Sequence, residues 1–235
     1  MISAVVPALN AEASLPATLT ALMPAALEGL VREVIVVDGG SRDRTREIAD
    51  HAGADVIASA PNRGAQLAAG AVRAKHPWLL FLHADTVLDP GWEREAGHFM
   101  ERTDTGIGRH AAAAFRFALD DDGAAPRVLE GLVRLRCSVL RLPYGDQGLL
   151  ISRRAYDKVG GYRALPLMED VDLVRRLGGR HVKLLRSRAV TSADRYRQEG
   201  YVRRALRNQA CRILFALNVP PARIVQIYAG GRDES

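Results

Sequence analysis

Two aspartates closely follow apolar segments of the sequence, where a carboxylate can do chemistry. Asp85 follows the apolar run 78–82. As a hard oxygen ligand at a strand end, it can hold Mg²⁺ or Mn²⁺ between two phosphates. Asp38 follows the run 33–37 and precedes Gly39, which lets the backbone turn sharply toward a ligand. Its carboxylate can accept hydrogen bonds from a base or a ribose.

Each of these residues also has an ordinary structural interpretation. Asp85 can cap a turn before Pro90, and Asp38 can cap a tight turn ahead of a helix. His83 ends the same apolar segment as Asp85 and is as often a satisfied core histidine as a ligand contact. Residue type and position alone leave these alternatives open.

A strand and helix alternation in the first half must position these residues. Four apolar runs read as strands: residues 3–9, 33–37, 54–58 and 78–82. Between them the spacing predicts helices, starting near Ser14 and Asp43 and spanning 64–75, with side-chain oxygens of Ser14, Ser41 and Asp43 as caps. We therefore expect an α/β fold with a Rossmann-like, mostly parallel central sheet and helices on both faces. In such sheets ligands bind beyond the carboxyl ends of the strands.

After Asp85 the regular alternation stops. The patterns there predict strands at 111–119 and 149–152, helices at 127–142 and 169–177, and a long amphipathic helix at 198–217. Eight arginines give the last third a basic character: Arg186, Arg188, Arg195, Arg197, Arg203, Arg204, Arg207 and Arg212. We expect the last helix to pack on the core with a solvated basic side. The alternatives are a clamp on a diphosphate or an anionic acceptor, and peripheral contact with an anionic membrane.

The composition excludes several classes of protein. No apolar stretch reaches the roughly 18 residues that suggest a membrane span. Cys137 and Cys211 are far apart within apolar patterns, so we expect core residues and no disulfide. The formal charge of +6 is spread over many arginines without interleaved aromatic residues, and we expect no nucleic-acid partner. The first residues predict a core strand without a signal peptide, which favours a cytoplasmic protein.

Several segments, in this order, resemble the family 2 glycosyltransferases of the GT-A fold. They are VVPALNAE at 5–12, VVDGGS at 36–41 and FLHAD at 81–85, followed on the acceptor side by GDQG at 145–148, GGY at 160–162 and MEDVDL at 168–173. The resemblance covers roughly residues 2 to 192. Within the family, the sequence looks closest to the transferases named for association with radical-SAM and selenium-domain proteins. The resemblance implies a transferase that uses a nucleotide-sugar donor, which we expect to be UDP-linked, and an unidentified acceptor.

The resemblance also implies a role for each matched residue. The nucleotide and donor would contact Pro7, Ala8, Asn10, Glu12, Asp38, Gly39, Arg63, Gly64, Gln66, His83 and Ala84. The sugar or acceptor pocket would include Gly145, Asp146 and Gln147. Asp85 ends the family's Asp-X-Asp segment, in which His83 replaces the first aspartate. Ligation of Mg²⁺ or Mn²⁺ would therefore depend mainly on Asp85.

Asp170 is the expected general base of an inverting transfer. An acceptor hydroxyl must lose its proton as it attacks the anomeric carbon opposite the leaving diphosphate. Glu169 and Asp172 add negative charge, which raises the pKa of the most buried carboxylate and makes it a better base. The structural alternative is that Glu169 and Asp170 only supply acids to a helix N-terminus.

We expect residues 1–195 to form the glycosyltransferase domain, with a nucleotide-binding half at 1–90 and an acceptor-side half at 91–195. Residues 196–235 would form a C-terminal helical extension. Two other functions stay open on the sequence alone. One is a sugar-nucleotide nucleotidyltransferase, although the first strand lacks a Gly-rich, basic triphosphate loop. The other is a non-catalytic module that binds nucleotides or a membrane surface.

Overall fold

The structure is a computed structural model that describes residues 1–108, 110–140, 143 and 145–229. The strands are β1 (Ile2–Ala8), β2 (Val31–Asp38), β3 (Asp55–Ala58), β4 (Trp78–Phe81), β5 (Thr86–Leu88), β6 (Ala112–Leu119), β7 (Leu149–Ser152) and β8 (Val182–Thr191). The helices are α1 (Leu15–Leu27), α2 (Thr45–His51), α3 (Arg63–Arg73), α4 (Trp92–Asp104), α5 (Ala124–Leu140), α6 (Arg153–Lys158), α7 (Glu169–Leu177), α8 (Asp194–Glu199), α9 (Tyr201–Ala216) and α10 (Pro221–Ala229). Two 3-10 turns span Gly145–Gln147 and Gly179–His181.

The strands form a single sheet in the order β3-β2-β1-β4-β7-β6-β8-β5. The four strands from β3 to β4 are parallel, whereas β7 is antiparallel to both of its neighbours. The chain runs outward from β1 to β3 and returns on the other side of β1 as β4. The carboxyl ends of β1 and β4 therefore flank a topological switch point, where a crevice opens in sheets of this kind.

Helices cover both faces of the sheet, as the sequence predicted. One core cluster packs Leu22 of α1 and Trp92 of α4 on the sheet, and the other packs Leu67 of α3 and Leu173 of α7. Successive residues of β4 contribute to the two clusters in turn, because side chains alternate across a strand. Both cysteines are buried, as expected for core residues. Within the described residues, no helix combines the length and the apolar character needed to cross a membrane.

Several predicted elements require correction. The helix predicted at 198–217 is divided into α8 and α9, because Gly200 adopts a positive φ of 84° between them. The helix predicted at 127–142 begins earlier, at Ala124, and its last two predicted residues lie outside the described part of the chain. The sequence reading missed β5, α4, α6 and α10.

Two of the three predicted helix caps were wrong. Ser14 makes no side-chain cap, since its hydroxyl donates to the carbonyl of Ala11 at 3.5 Å. Ser41 accepts instead from the backbone N–H of Asn10, at 2.9 Å. Asp43 does accept from the first residue of α2, with 3.0 Å between its Oδ1 and the backbone nitrogen of Thr45.

The domain boundary predicted at residue 195 remains a prediction.

Candidate functional site

A cavity of about 1110 Å³ lies at the switch point between β1 and β4. Its walls include eleven of the residues that the sequence singled out: Pro7, Ala8, Asn10, Arg63, Gln66, His83, Ala84, Asp85, Asp146, Glu169 and Asp170. Residues more than a hundred positions apart therefore meet around one space. Five other candidates that the structure describes do not line this cavity: Glu12, Asp38, Gly39, Gly64 and Gln147.

Asp38 is buried beneath the loop that follows β2. Its carboxylate accepts hydrogen bonds from the backbone N–H groups of Gly40 and Ser41, at 3.2 and 3.1 Å. Its side chain is 2% exposed, and Arg46 lies 3.9 Å away. These contacts give Asp38 the ordinary role of fixing a tight turn. A contact with a base or ribose remains a prediction.

The loop after β1 is tied to the loop after β2 by reciprocal hydrogen bonds. The Asn10 side chain accepts from the backbone N–H of Arg42 at 2.9 Å, and Glu12 accepts from that of Arg44 at 3.0 Å. Asn10 also has a positive φ of 49°, which asparagine tolerates better than most residues. The two loops form one rigid edge, on which Asn10 reaches the cavity and Glu12 lies outside it.

The start of α3 is held against the ends of β1 and β2 on one side and against the 163–165 segment on the other. Gln66 donates from Nε2 to the carbonyl oxygens of Ala8 and Val37, at 3.0 and 2.8 Å, and so joins the ends of β1 and β2. At Gly64, a Cβ atom would lie 2.1 Å from the carbonyl oxygen of Arg163. Only glycine permits this close approach of α3 to the 163–165 segment. Gly39, between the strand ends, lies next to the Gln66 amide.

Across the cavity, α7 begins with two acids after a strained residue. Met168 holds a left-handed φ of 63°, an unusual conformation for a bulky side chain that clusters at functional sites. Glu169 is buried, and Arg63 lies 3.7 Å from its Oε1. Asp170 accepts from the backbone N–H of Val171 at 2.7 Å. Asp172 instead pairs with Arg176 at 2.6 Å.

The two buried acids of the cavity have raised pKa values. Burial is the main cause for Glu169, with the neighbouring charge of Asp170 second, and it raises the pKa of Glu169 to about 7. Burial also raises the pKa of Asp146 to about 6, partly offset by Arg136. The sequence predicted a raised pKa for the most buried acid, and in the structure that acid is Glu169. His83 shows the opposite shift, because burial and the charge of Arg63 lower its pKa.

The 145–147 turn divides its residues between the cavity and the core. Asp146 lines the cavity, whereas Gln147 is 1% exposed and donates to the carbonyl oxygen of Phe115 at 2.9 Å. The Gln147 carbonyl accepts from the Cys137 thiol at 3.2 Å. Gly145 begins the turn. Gln147 therefore joins β6 to α5 and holds its neighbour Asp146 at the cavity wall.

The model for glycosyl transferase family 2 matches residues 3–112, which hold β1 to β5 and Asp85. This similarity to glycosyl transferase family 2 covers just under half of the chain. The narrower group associated with radical-SAM and selenium-domain proteins remains a prediction. No curated protein matches this chain at a significant level.

Solved structures similar to this chain include glucosyl-3-phosphoglycerate synthase from Mycobacterium tuberculosis. Its complex with Mn²⁺, UDP-glucose and phosphoglyceric acid has a TM-score of 0.59 and 20% identity, over 94% of this chain and 80% of that one. Its complex with Mn²⁺, UDP and glucosyl-3-phosphoglycerate has a TM-score of 0.54 and 23% identity, over 82% and 70% of the two chains. At this identity the likeness concerns the fold, and it confirms the expected GT-A architecture.

The surroundings of Asp85 fit a divalent cation that a bound diphosphate helps to hold. Among the described residues, no group of three or more His, Cys, Asp and Glu side chains could hold a metal by itself. The Asp85 Oδ1 accepts only long hydrogen bonds, from Thr86 at 3.4 Å and Thr191 at 3.5 Å. Mg²⁺ in phosphate sites uses one or two carboxylates together with substrate oxygens, so a single aspartate is enough.

Sequence reasoning missed the wall that the C-terminal helices contribute. Tyr196, Arg204, Asn208 and Tyr228 line the cavity from α8, α9 and α10. Arg204 is 4% exposed, pairs with Glu199 at 3.0 Å and lies over the Tyr228 ring at 4.2 Å. From the sequence, an arginine in an amphipathic helix can be recognised as buried only when its partner is known. Its place at the cavity depends on tertiary packing.

Three cavity residues from different elements each have one buried oxygen without a hydrogen-bond partner. These are Glu169 Oε2, Asp146 Oδ1 and Asn208 Oδ1. A buried polar atom without a partner is costly, on the order of 1–3 kcal/mol, unless a ligand satisfies it. The Asn208 carbonyl can only accept hydrogen bonds, and so can the two acids when ionised. Hydroxyl groups are the natural ligands for such a set.

Proposed function

We propose that the cavity binds a nucleoside diphosphate sugar and that the chain transfers the sugar to an acceptor hydroxyl with inversion. The observation that carries the proposal is the convergence of Asp85, the Glu169–Asp170 pair and three oxygens without partners on one cavity. The family match supports transferase chemistry. The structurally similar synthase was crystallised with Mn²⁺ and UDP-glucose, which supports a UDP-linked donor.

The rigid edge formed by the loops after β1 and β2 is the proposed nucleotide side. Pro7, Ala8 and Asn10 would contact the nucleoside, and Arg63 would approach the diphosphate. Asp85 would hold Mg²⁺ or Mn²⁺, which, when bound, neutralises the charge that develops on the leaving diphosphate. His83 would contact the donor as a neutral imidazole, since its pKa is lowered by burial.

Asp170 is the proposed general base. As the acceptor oxygen forms its bond to the anomeric carbon, its proton passes to the Asp170 carboxylate, while the bond from that carbon to the diphosphate breaks. Glu169 lies next to Asp170 with Arg63 on its other side, at 3.7 Å. It would orient the acceptor through the Oε2 atom that has no partner. Asp146 would bind hydroxyls of the sugar or acceptor.

The test is release of UDP from a panel of UDP-sugars with candidate acceptors and Mn²⁺. Asp170→Asn is expected to lower kcat by about 100-fold to 10,000-fold, as for loss of a general base. Asp157→Asn, at an exposed carboxylate on α6, is the matched control and should keep wild-type turnover. Unchanged turnover of Asp170→Asn would remove the base assignment.

Two other functions would give different products in the same assay. Release of pyrophosphate from a nucleoside triphosphate and a sugar phosphate would indicate a nucleotidyltransferase. Binding of UDP without consumption of any sugar donor would indicate a non-catalytic module. The oxygens without partners at Asp146, Glu169 and Asn208 favour transfer, because a module that binds only the nucleotide has no need of them.

A further inference from the structure

Helix α5 presents a stripe of aliphatic side chains to solvent. Val128, Leu132, Leu135 and Val139 are 62%, 59%, 60% and 68% exposed. Their spacing of four, three and four residues places them on one side of the helix. Scattered exposed aliphatic residues are ordinary on a protein surface, but a continuous stripe indicates an interaction surface.

Helix α9 carries a second stripe of the same kind. Val202, Leu206, Ile213 and Leu217, at the end of the helix, are 73%, 65%, 60% and 69% exposed. Their spacing of four, seven and four residues again places them on one side. Helix α9 buries Arg204 and Cys211 against the protein on its opposite side. The stripe is therefore separate from the face that holds the helix in place.

The two stripes meet at the cavity. Helix α5 contacts α9, and Leu132 and Leu206, one from each stripe, line the cavity. The two aliphatic stripes thus form one surface at the cavity mouth, which we call the α5–α9 surface. A ligand entering there would pass directly from this surface into the proposed active site.

The charge around the α5–α9 surface is mainly positive, although Asp121 accepts from the Tyr201 hydroxyl at the start of α9 and Glu199 pairs with both Arg204 and Arg207. Residues 201–229 contain five arginines and no aspartate or glutamate. Arg203 and Arg223 are exposed there, and Arg134 is exposed on α5. Exposed aliphatic residues among arginines are the pattern of helices that lie in the interface of an anionic bilayer. Each arginine near such a surface contributes about 1 kcal/mol.

We propose that the α5–α9 surface docks on an anionic lipid bilayer and turns the cavity mouth toward it. This extends beyond the transfer reaction, since it specifies where the enzyme works. A second copy of the chain fits the surface less well. A two-fold interface brings the same patch of both copies together and would place the arginines of one copy against those of the other.

Sedimentation with lipid vesicles tests the proposal on the full chain. The vesicles contain phosphatidylcholine alone, or phosphatidylcholine with phosphatidylglycerol in a two-to-one ratio. The test variant combines Val128→Asp and Val202→Asp, which do not line the cavity. The control combines Leu27→Asp and Val72→Asp, at aliphatic residues 82% and 86% exposed elsewhere. Circular dichroism and thermal midpoints establish that both variants fold.

The wild type and the control should sediment with the anionic vesicles, and less so at high salt. The test variant should bind about tenfold more weakly, because two carboxylates replace aliphatic contacts and oppose the lipid charge. Equal binding of the test variant, or no binding of the wild type to any vesicle, would overturn the proposal. So would a wild-type dimer that the test variant converts to a monomer, since a second copy would then occupy the surface.

Discussion

The two walls of the cavity differ in how their polar groups are used. On the wall built by β1, β2 and α3, Gln66 bonds to neighbouring backbone groups, and so do Asp38 and Glu12 directly behind that wall. On the opposite wall, Asp146 and Glu169 each keep a buried oxygen without a partner. The hydrogen bonds of the first set are thus made within the protein, whereas the oxygens of the second wall are left for a ligand to satisfy.

This difference shows that residues of the recognised sequence motifs have two kinds of role, one structural and one in contact with the ligand. Side chains of the first wall shape the rigid edge on which the nucleotide would lie, so most of them act through the backbone. On the second wall, Asp146 and Glu169 have raised pKa values at a cost in folded-state stability, as is common for catalytic groups. Stability and turnover should therefore respond differently to substitutions on the two walls.

After that of Asp170→Asn, the largest expected effect is that of Asp85→Ala on turnover. If the metal depends mainly on this carboxylate, the variant should lose about 100-fold to 1,000-fold in kcat/KM, as for removal of a major transition-state contact. Its residual activity should no longer rise with added Mn²⁺. The measurement is a Mn²⁺ titration of UDP release, with Asp104→Asn, at the end of α4, as the control. Normal Mn²⁺-dependent turnover of Asp85→Ala would remove the metal assignment.

A substitution that disturbs the packing behind the first wall should instead change the free energy of unfolding. Gly64→Ala would place a Cβ atom 2.1 Å from the Arg163 carbonyl oxygen and should lower the free energy of unfolding by about 2–3 kcal/mol. Gly97→Ala is the matched control, because its added Cβ meets no atom within 4 Å in the middle of α4. It should raise the free energy by about 0.5–1 kcal/mol, since alanine favours helix. Urea denaturation measures both, and equal effects would show that the close approach at Gly64 is unimportant.

The smallest expected effect is a pH dependence of the free energy of unfolding, caused by Glu169 on the second wall. The pKa of Glu169 is raised by burial from 4.5 to about 7, so the folded state binds this proton more tightly than the unfolded chain. The resulting stability is present below about pH 4.5 and is lost as the pH rises toward 7. Glu169→Gln should therefore gain about 1–2 kcal/mol relative to the wild type between pH 5 and 8.

Thermal midpoints across that pH range measure the difference. Glu28→Gln, at an exposed residue after the end of α1, is the control, and its midpoints should follow those of the wild type across this pH range. A difference between Glu169→Gln and the wild type that stays constant from pH 5 to 8 would mean that Glu169 titrates normally. The two walls would then differ less in electrostatics than the structure indicates.

The sequence predicted the parallel half of the sheet because each strand there contains consecutive apolar residues, and β4 consists of nothing else. It missed α4, although Trp92, Ala96, Phe99 and Met100 have helical spacing and are buried. Charged residues between them and the preceding Pro90-Gly91 obscured that pattern. The three oxygens without partners could not be predicted, since they depend on the meeting of α7, α9 and the 145–147 turn.

Binding of UDP with and without Mn²⁺ tests the division between the two walls most directly. Calorimetry on the wild type and on Asp170→Asn separates nucleotide binding from the acceptor side. The account predicts that both proteins bind UDP with the same affinity and that Mn²⁺ tightens binding in both. A large loss of UDP affinity in Asp170→Asn, or no UDP binding by the wild type, would contradict it.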